Sequence, residues 1–340
     1  MTYNGKILRR AKEKYEADKE ARHIAYEAQR EEIITKNPRL RELDNQIRSA
    51  PGRALADALR KGVDPLPVME RFKRESLRLQ EERRKILLKM GLPENALEEV
   101  PACPSCGDSG YLKSGQICPN CLKKYYTREQ RRELSRTLDL SDQSFETFSL
   151  RYYPDRRETS GVSARKNMES VRNICESYAR DFGPHSGNLL LFGDPGLGKT
   201  FLSAAIARVV SGNGFSVVYD TAGRIFERFE NRKFNRDDTD EYEDEVRHIL
   251  SCDLLILDDL GTEMTTAFIQ SALYEIINTR LLNKLSTIIN TNLKPDKLES
   301  RYAPQIASRL KGEYRYLPFS GDDIRWQLKN ETQKNWRNRS

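Results

Sequence analysis

A short apolar run near the middle of the chain leads directly into a glycine-rich loop. Residues 189–192 read Leu-Leu-Leu-Phe, and residues 193–200 read Gly-Asp-Pro-Gly-Leu-Gly-Lys-Thr. Residues 201–211 then have the pattern of a helix. A strand, a loop of the form G-x-x-x-x-G-K-T and a helix, in that order, are the arrangement in which a backbone wraps a phosphate. The order predicts a nucleotide-triphosphate site in an α/β fold.

The residue types of this loop each have a chemical reason. Glycine lets the N–H groups of the loop point inward at an anion, and the first turn of the next helix adds unpaired N–H groups and the positive end of its dipole. Lys199 is predicted to reach the β- and γ-phosphates of ATP, and the Thr200 hydroxyl to bind Mg²⁺. The predicted nucleotide-binding residues of the loop are Gly193, Asp194, Pro195, Gly196, Leu197, Gly198, Lys199 and Thr200.

A second apolar run ends in two acids about 60 residues after the loop. Residues 253–259 read Asp-Leu-Leu-Ile-Leu-Asp-Asp. Asp258 is predicted to hold Mg²⁺ at the carboxyl end of a strand, and Asp259 to orient or deprotonate the attacking water. An apolar strand that ends in two acids is a weak signal alone, but its position downstream of a phosphate loop makes it a strong one.

Three further polar residues are candidates for the same site. Residues 286–292 predict a strand that ends in polar amides, and Asn292 is predicted to hydrogen-bond the attacking water or the γ-phosphate, with a simple turn at Asn290 or Asn292 as the alternative. Arg309 and Arg325 lie further along the chain. Because an arginine on a helix is usually a solvated surface charge, the residues alone assign neither of them a role.

Short apolar runs alternate with amphipathic segments from about residue 162 onwards. This alternation predicts a parallel sheet covered by helices on both faces. The predicted helices are 162–182, 199–211, 222–233 and 265–283, and the predicted strands are 189–192, 216–219, 254–257 and 286–290.

The first hundred residues are highly charged and thinly apolar. They carry 23 Lys and Arg against 18 Asp and Glu, which is most of the excess in a chain of net charge +7. Their periodicity predicts helices over 1–36, 39–49 and 68–90, the second ended by Pro51 and Gly52, with a turn over 62–67. Two structures agree equally well with this pattern. One is a solvated helical arm, and the other is a set of helical hairpins that needs a partner to bury its apolar stripes.

Four of the six cysteines form one cluster. Its spacing is C-x₂-C-x₁₁-C-x₂-C, and two such pairs suit a tetrahedral, structural Zn²⁺ ion. A redox dithiol is the alternative, but it explains only one of the two pairs. Cys175 and Cys252 stand alone in apolar surroundings and are predicted to be inert core residues. The predicted zinc ligands are Cys103, Cys106, Cys118 and Cys121.

These patterns predict how the chain is organised. The regions are a helical amino-terminal region (1–100), a zinc-binding module (101–138), a linker (139–161), a nucleotide-binding domain (162–330) and a tail (331–340). No run approaches the roughly 18 apolar residues of a membrane span. The first thirty residues contain acids throughout and no apolar central stretch of the kind found in a secretion signal. We therefore expect a cytoplasmic protein that does not act on a membrane.

Residues 185–325 resemble the AAA+ ATPases of the bacterial replicative helicase loader group (DnaC, DnaI) and their relative, the transposition ATPase IstB. The resemblance is carried by GDPGLGKT, LLILDDLGTE (254–263), STIINTN (286–292), QIASRL (305–310) and GDDIR (321–325). The phosphate loop is common to many NTPases, but the later motifs in this order are much more specific. CPSCGDSGY (103–111), CLKKYY (121–126) and FETFSLRYYPD (145–155) extend the resemblance towards the amino terminus.

The resemblance implies roles for the polar residues of the site. Asp259 would be the catalytic acid, Asn292 the polar sensor residue and Arg325 a second sensor that reaches the γ-phosphate in cis. Arg309 would be an arginine finger that acts on the ATP of a neighbouring subunit. Asp259 stands where AAA+ proteins in general have Glu, and the shorter side chain implies slow, switch-like hydrolysis.

The resemblance also implies partners. The ATPase domains would self-associate in an open spiral or ring, with single-stranded DNA along the inner face. Thr266 and Phe268 would belong to an additional helical element that contacts this DNA. Residues 222–234 also combine charge with aromatic rings; Ile225, Phe226 and Phe229 look mostly like core, while DNA contact by the basic side stays open. The zinc module would brace a region that binds the replicative helicase, although its own lysines and tyrosines would also suit single-stranded DNA.

The function predicted on these grounds is an ATP-regulated loader that delivers the hexameric replicative helicase onto single-stranded DNA during replication initiation or restart. One alternative is a transposition regulator that uses ATP to coat DNA. Another is a scaffold with a vestigial nucleotide site. The zinc module favours the loader, since a transposase partner gives no evident reason for it.

Overall fold

The protein is described by a computed structural model, in which residues 3–61, 65–137, 143–156, 161–234 and 239–337 are placed. Its helices are α1 (Gly5–Thr35), α2 (Pro38–Lys61), α3 (Pro65–Lys89), α4 (Leu122–Thr137), α5 (Ala164–Arg180), α6 (Lys199–Gly212), α7 (Ala222–Phe234), α8 (Thr239–Ser251), α9 (Ala267–Leu282), α10 (Pro295–Arg301), α11 (Pro304–Glu313) and α12 (Ile324–Arg337). Its strands are β1 (Asn188–Phe192), β2 (Val217–Thr221), β3 (Leu254–Leu260), β4 (Ser286–Thr291) and β5 (Tyr314–Pro318). Within these ranges, no helix has the length and apolar character needed to cross a membrane.

Contacts along the chain divide it into two compact units. The cysteine unit is Glu13–Cys121, and the sheet unit is Met1–Lys12 together with Leu122–Ser340. The division therefore falls inside α1, between Lys12 and Glu13. The five regions predicted from the sequence remain a prediction.

The sheet unit is built on five strands in the order β2-β3-β4-β1-β5, and every neighbouring pair is parallel. Parallel sheets are covered by helices on both faces, so their strands are apolar almost throughout. Residues 254–257 of β3 and 288–289 of β4 are fully buried in this way. The prediction of an α/β fold with a parallel sheet is confirmed. The carboxyl ends of β3, β4 and β1 lie side by side at one edge of this sheet.

Each face of the sheet carries its own core. Met168 of α5 and Leu202 of α6 pack on one face, and Phe229 of α7 and Ile276 of α9 pack on the other. The first core also contains three aromatic side chains from the segment that the sequence analysis takes as a linker. These are Phe145, Phe148 and Tyr153. Both isolated cysteines, Cys175 and Cys252, are fully buried, as predicted.

The cysteine unit contains most of α1 and all of α2 and α3, and α2 packs against α3. Among its described residues, one apolar cluster contains Ile33, Ile34, Leu40, Leu87 and Leu97.

The prediction that α2 ends at Pro51 and Gly52 is wrong, because the helix continues to Lys61. Helix propensity is a weak prior that tertiary context can override, and α2 packs against α3. Of the predicted turn, residues 65–67 begin α3, where proline fits the first helical turn. Residues 62–64 lie outside the described part of the chain.

Arg280 of α9 is a fully buried cation in the core of the sheet unit. Its Nη1 donates to the carbonyls of Ile249 and Cys252 at 2.9 and 3.0 Å. Its Nη2 donates to the carbonyl of Ser286 at 2.6 Å, and its Nε to Oγ1 of Thr287 at 3.0 Å. Ile249 and Cys252 lie at the carboxyl end of α8, where backbone carbonyls carry partial negative charge. Arg280 therefore joins α8 to β4, and its hydrogen bonds offset the cost of burying a charge.

His248 lies beside this cation and gives the fold a pH dependence. Burial, together with the positive charges of Arg280 and Arg228, lowers the pKa of His248 from 6.5 to about 4, although the carboxylate of Asp253 opposes the shift. The folded state therefore keeps His248 neutral, while the unfolded chain takes up a proton below pH 6.5. The contribution to stability is complete above pH 6.5 and is lost as the pH falls towards 4.

We expect the free energy of unfolding to fall by up to about 1.4 kcal/mol per pH unit through this window because of His248. His248→Phe should remove that part of the slope. Denaturant melts of both proteins at pH 7 and pH 5 measure it. Since the carboxylates titrate equally in both proteins, the difference between the two slopes isolates the histidine. Parallel pH profiles would contradict the expectation.

Candidate functional site

The glycine-rich loop connects the end of β1 to the start of α6. Gly193, Gly196 and Gly198 have φ angles of 144°, 78° and 88°, which favour glycine. A Cβ at Gly196 would lie 2.1 Å from Oδ1 of Asp323, and one at Gly193 would lie 2.4 Å from the carbonyl oxygen of Phe319. The loop is therefore closed tightly against the segment that precedes α12, and no larger side chain fits at these positions.

Lys199 begins α6 and points back into this loop. Its Nζ donates to the carbonyls of Gly193 and Asp194 at 2.6 and 2.8 Å. Only 5% of the residue is exposed. Burial lowers the pKa of Lys199, while the nearby carboxylates of Asp259, Asp258 and Asp194 oppose that shift. The ammonium thus lies inside a ring of backbone groups, where it can meet the oxygens of a bound phosphate.

Side chains from three other elements form hydrogen bonds to the carboxylate of Asp258. Tyr219 of β2 donates its hydroxyl to Oδ2 at 2.7 Å, and Asn290 of β4 donates Nδ2 to Oδ1 at 2.8 Å. Oγ1 of Thr200 in α6 lies 3.4 Å from the same Oδ1. Mg²⁺ in such sites is held by a threonine hydroxyl and a carboxylate beside the phosphate loop. Thr200 and Asp258 supply this pair of ligands.

Asp259 has a backbone conformation that is unusual for a residue with a side chain. Its φ is 54°, in the left-handed region, and such strain is often found at functional sites. Burial raises the pKa of its carboxyl, and the charge of Asp258 adds to this, whereas Lys199 and Arg325 oppose it. A carboxyl group with raised proton affinity is suited to accept a proton from water.

A cavity of about 670 Å³ opens over the loop and Asp259. Its lining includes residues 195–201 together with Asp259, Asn292 and Arg325. It also includes the apolar and aromatic side chains of Phe148, Tyr152, Ile324 and Leu328, along with polar residues such as Thr147 and Arg151. Charged groups and apolar rings in one cleft match the phosphates and the base of a nucleotide. The structure thus brings together the loop, Asp258, Asp259, Asn292 and Arg325.

Arg309 does not join this group. It lies on α11, and its guanidinium contacts Tyr274 and Asn278 of α9. Within the described residues, the lining of the nucleotide cavity does not include it.

The two residues predicted to contact DNA also lie outside the cavity lining. Oγ1 of Thr266 accepts a hydrogen bond from the backbone N–H of Ile269 at 3.2 Å and so caps the start of α9. The ring of Phe268 is partly buried and lies 6.0 Å from that of Phe234. Nζ of Lys233 lies 5.3 Å from the centroid of the Phe268 ring. Phe268 therefore belongs to a small aromatic and basic group that includes the end of α7.

The four clustered cysteines lie together in the cysteine unit, with all four Sγ atoms within 4.8 Å of one another. The Cys103 and Cys118 sulfurs are 3.7 Å apart, and those of Cys106 and Cys121 are 3.4 Å apart. Zn–S bonds of about 2.3 Å in a tetrahedron place the sulfurs roughly 3.8 Å apart, so the set fits a zinc ion. Each close pair joins the two CxxC motifs, which favours one four-ligand centre over a separate redox pair.

Three residues that orient the acids were missed by the sequence analysis. No sequence motif identifies Tyr219 or Ser203, whose Oγ accepts a hydrogen bond from Nδ2 of Asn290 at 2.8 Å. Asn290 falls within the predicted strand, but its role does not follow from that prediction: it lies within β4 and its Nδ2 donates to Asp258. For Tyr219 and Asn290 the sequence contains one signal, which is a polar residue in an otherwise apolar strand of a parallel sheet; Ser203 lies on α6 and has no such signal.

Comparisons with known proteins agree with this geometry. The family model described as IstB-like ATP binding protein matches residues 123–329. The replicative helicase loader DnaC of Buchnera aphidicola subsp. Baizongia pistaciae is 25% identical over 151 residues, which are 44% of this chain and 61% of that protein. The replicative helicase loader DnaI of Bacillus subtilis is 28% identical over 149 residues, which are 43% of this chain and 45% of that protein. The match thus spans less than two thirds of the length of either relative.

Among solved structures, the crystal structure of the DnaC helicase loader overlaps 54% of this chain and 99% of that chain, at 21% identity and a TM-score of 0.44. The family match, by contrast, covers most of the sheet unit, including the phosphate loop, both acids and Arg325. It confirms the resemblance found from the motifs. This chain belongs to the family of IstB-like ATP binding proteins.

Proposed function

We propose that this protein is an ATP-regulated loader that delivers a hexameric replicative helicase onto single-stranded DNA. The observation that carries the proposal is the cavity, in which a phosphate loop, a Thr200–Asp258 pair and Asp259 are assembled in a member of an ATP-binding family. The helicase partner is carried over from the relatives, which are named replicative helicase loaders.

The proposed reaction is the hydrolysis of ATP to ADP and phosphate. Residues 193–200 would hold the phosphates, and Thr200 and Asp258 would hold Mg²⁺, which neutralises phosphate charge when bound. Asp259 would accept the proton of the attacking water, Asn292 would orient that water, and Arg325 would stabilise charge on the γ-phosphate. The raised pKa of Asp259 and its position in the cavity support this role. Because its side chain is short, we propose slow hydrolysis.

Arg309 is proposed to act on the ATP of a neighbouring subunit. Its position on α11, outside the cavity of its own subunit and partly exposed, supports an action in trans. Self-association through the sheet unit would then complete each site. An arginine supplied by a neighbouring subunit raises the rate of hydrolysis by a factor of roughly 10³–10⁵.

Mixing two inactive variants tests this role. Arg309→Ala should bind ATP with unchanged affinity but lose ATPase activity that rises with protein concentration. Lys199→Ala should lose binding but keep its arginine. Because one protein keeps the pocket and the other keeps Arg309, hydrolysis should return when they are mixed. A steady-state phosphate assay measures it. If the mixture does not hydrolyse ATP under conditions in which wild type does, Arg309 acts in cis or serves only in the packing of α11.

The aromatic and basic group around Phe268 is proposed to contact single-stranded DNA. Base stacking on an exposed ring beside a cation is the usual way in which such strands are held. Phe234 is 61% exposed and lies next to Phe268 and Lys233, which supports this proposal. The hydroxyl of Thr266 already caps α9, so the proposed DNA contact of Thr266 would not depend on that hydroxyl.

The cysteine unit is proposed to bind the helicase, with a structural zinc ion that braces it. Four thiolates leave no open coordination position, so the metal would stabilise the fold without taking part in chemistry. A nucleic-acid contact by the region proposed as the zinc module, 101–138, is the alternative role.

A second candidate is a transposition regulator, which the description of the matching family favours. A pulldown from the native host, with and without ATP, distinguishes the candidates by the identity of the partner. The loader should capture a hexameric helicase, and the ATP dependence should be lost in Lys199→Ala. Capture of a transposase would support the regulator instead. A scaffold with a vestigial nucleotide site would show the same partners with and without ATP.

A further inference from the structure

The side chain of Arg309 is held by its own subunit through each of its nitrogens. Nε and Nη2 donate to Oδ1 of Asn278 at 3.2 and 2.9 Å. Nη2 also donates to the hydroxyl of Tyr274 at 3.1 Å, and Nη1 donates to the carbonyl of Gln305 at 3.1 Å. The guanidinium carbon lies 4.8 Å from the centroid of the Tyr274 ring, a cation–π distance. The guanidinium is therefore docked in one defined position.

This docking position is at the protein surface. Tyr274 and Asn278 are four positions apart on α9 and so lie on one face of that helix. Tyr274 is exposed, while Asn278 and Arg309 are partly buried. In the part of the chain that the structure describes, the nucleotide cavity is lined by none of these three residues. A second copy of the chain can therefore reach the guanidinium without entering the first copy's own site.

The groups that hold the guanidinium are all neutral: an amide oxygen, a phenol hydroxyl and a backbone carbonyl. Hydrogen bonds from a guanidinium to phosphate oxygens are charge-assisted and often bidentate, and they are roughly twice as strong as bonds between neutral groups. A triphosphate that arrives at a subunit boundary therefore competes well for Arg309, whereas water does not. Docking on neutral acceptors is strong enough to order the side chain and weak enough to be reversed.

We propose that Asn278, with support from Tyr274, is a positioning residue that keeps Arg309 docked on its own subunit until a neighbouring subunit presents a triphosphate. The inference rests on the proposed action of Arg309 in trans. We further propose that the free energy needed to release Arg309 from Asn278 and Tyr274 sets the protein concentration at which hydrolysis begins. The residues that hold the arginine are thus part of the control of assembly.

Two substitutions at position 278 are expected to change activity in opposite directions. Asn278→Asp puts a carboxylate where the amide oxygen was, so an ion pair holds the guanidinium and assembly-dependent hydrolysis falls roughly tenfold. Asn278→Ala removes the acceptor, so hydrolysis begins at a lower protein concentration than in wild type. The measurement is the ATPase rate as a function of protein concentration. Light scattering with a non-hydrolysable ATP analogue reports assembly independently of the rate.

The controls separate docking from a general effect on the fold. Asn283→Asp adds the same charge to the end of the same helix, at a residue whose side chain bonds the carbonyl of Thr279, and should match wild type. High salt should restore part of the activity of Asn278→Asp, because a partly exposed ion pair is screened. A damaged fold would not recover in this way. ATP affinity should be the same in all of these variants.

Arg309→Ala distinguishes failure of the two proposals. If this variant hydrolyses ATP like wild type, the action in trans is wrong and the docking inference fails with it. If Arg309→Ala is inactive while both variants at position 278 match wild type in rate and assembly, the docking inference alone is overturned. A loss of activity in Asn278→Asp that salt does not relieve also overturns it.

Discussion

Lys199→Ala is expected to abolish ATP binding, with a loss of at least about a hundredfold in affinity. The buried ammonium is the cation inside the loop, at hydrogen-bond distance from the carbonyls of Gly193 and Asp194. Alanine removes its charge-assisted bonds to the phosphates without changing the glycine cradle. Titration with a fluorescent ATP analogue measures the loss directly.

Thermal unfolding gives an independent test of the same change. ATP stabilises a protein in proportion to RT ln(1 + [L]/Kd), so wild type should melt at a higher temperature with ATP and Lys199→Ala should not. Lys297→Ala is the matched control, since it removes an exposed lysine from α10 of the same unit and should bind like wild type. If Lys199→Ala binds ATP with unchanged affinity, the assignment of the loop as the phosphate-binding site is wrong.

Cys118→Ser is expected to remove the zinc ion and the fold of the cysteine unit together. Metal analysis of wild type should give about one equivalent of zinc per chain, and binding of structural zinc is worth roughly 10–16 kcal/mol in small domains. Cys118 is fully buried within 3.7 Å of the Cys103 sulfur, so no other described group can replace its thiolate without a rearrangement. ATP binding should persist, because the phosphate loop and the acids belong to the sheet unit.

Cys175→Ala is the matched control for this loss. It also removes one thiol, but that thiol lies in the core of the sheet unit and is not one of the four clustered cysteines. Burial raises the pKa of Cys175 to about 12. Its zinc content should therefore equal that of wild type. Disulfides in place of zinc in the wild-type cluster would instead support redox chemistry.

Local patterns predicted much of the sheet unit correctly. The apolar runs that form β1, β3 and β4 were found because a buried parallel strand is apolar on both faces. β5 was missed. It pairs only with β1, and its sequence Tyr-Arg-Tyr-Leu-Pro has no apolar run because a strand at the edge is half exposed. The predicted end of α2 was wrong for the opposite reason: a strong local signal at Pro51 and Gly52 does not end the helix, which continues to Lys61 and packs against α3, the next helix in the chain.

The sequence by itself determined the chemistry that is local in the chain. The phosphate loop occupies eight consecutive residues, and each cysteine pair is separated by two residues, so spacing alone defines the geometry that a phosphate or a metal requires. The tertiary structure decided everything that depends on the order of the strands. Tyr219 and Asn290 orient Asp258 only because β2 and β4 flank β3, and Arg309 meets Asn278 only because α11 packs on α9. Such contacts join residues that are tens of positions apart, and their distances follow from packing and strand order, which no local spacing encodes.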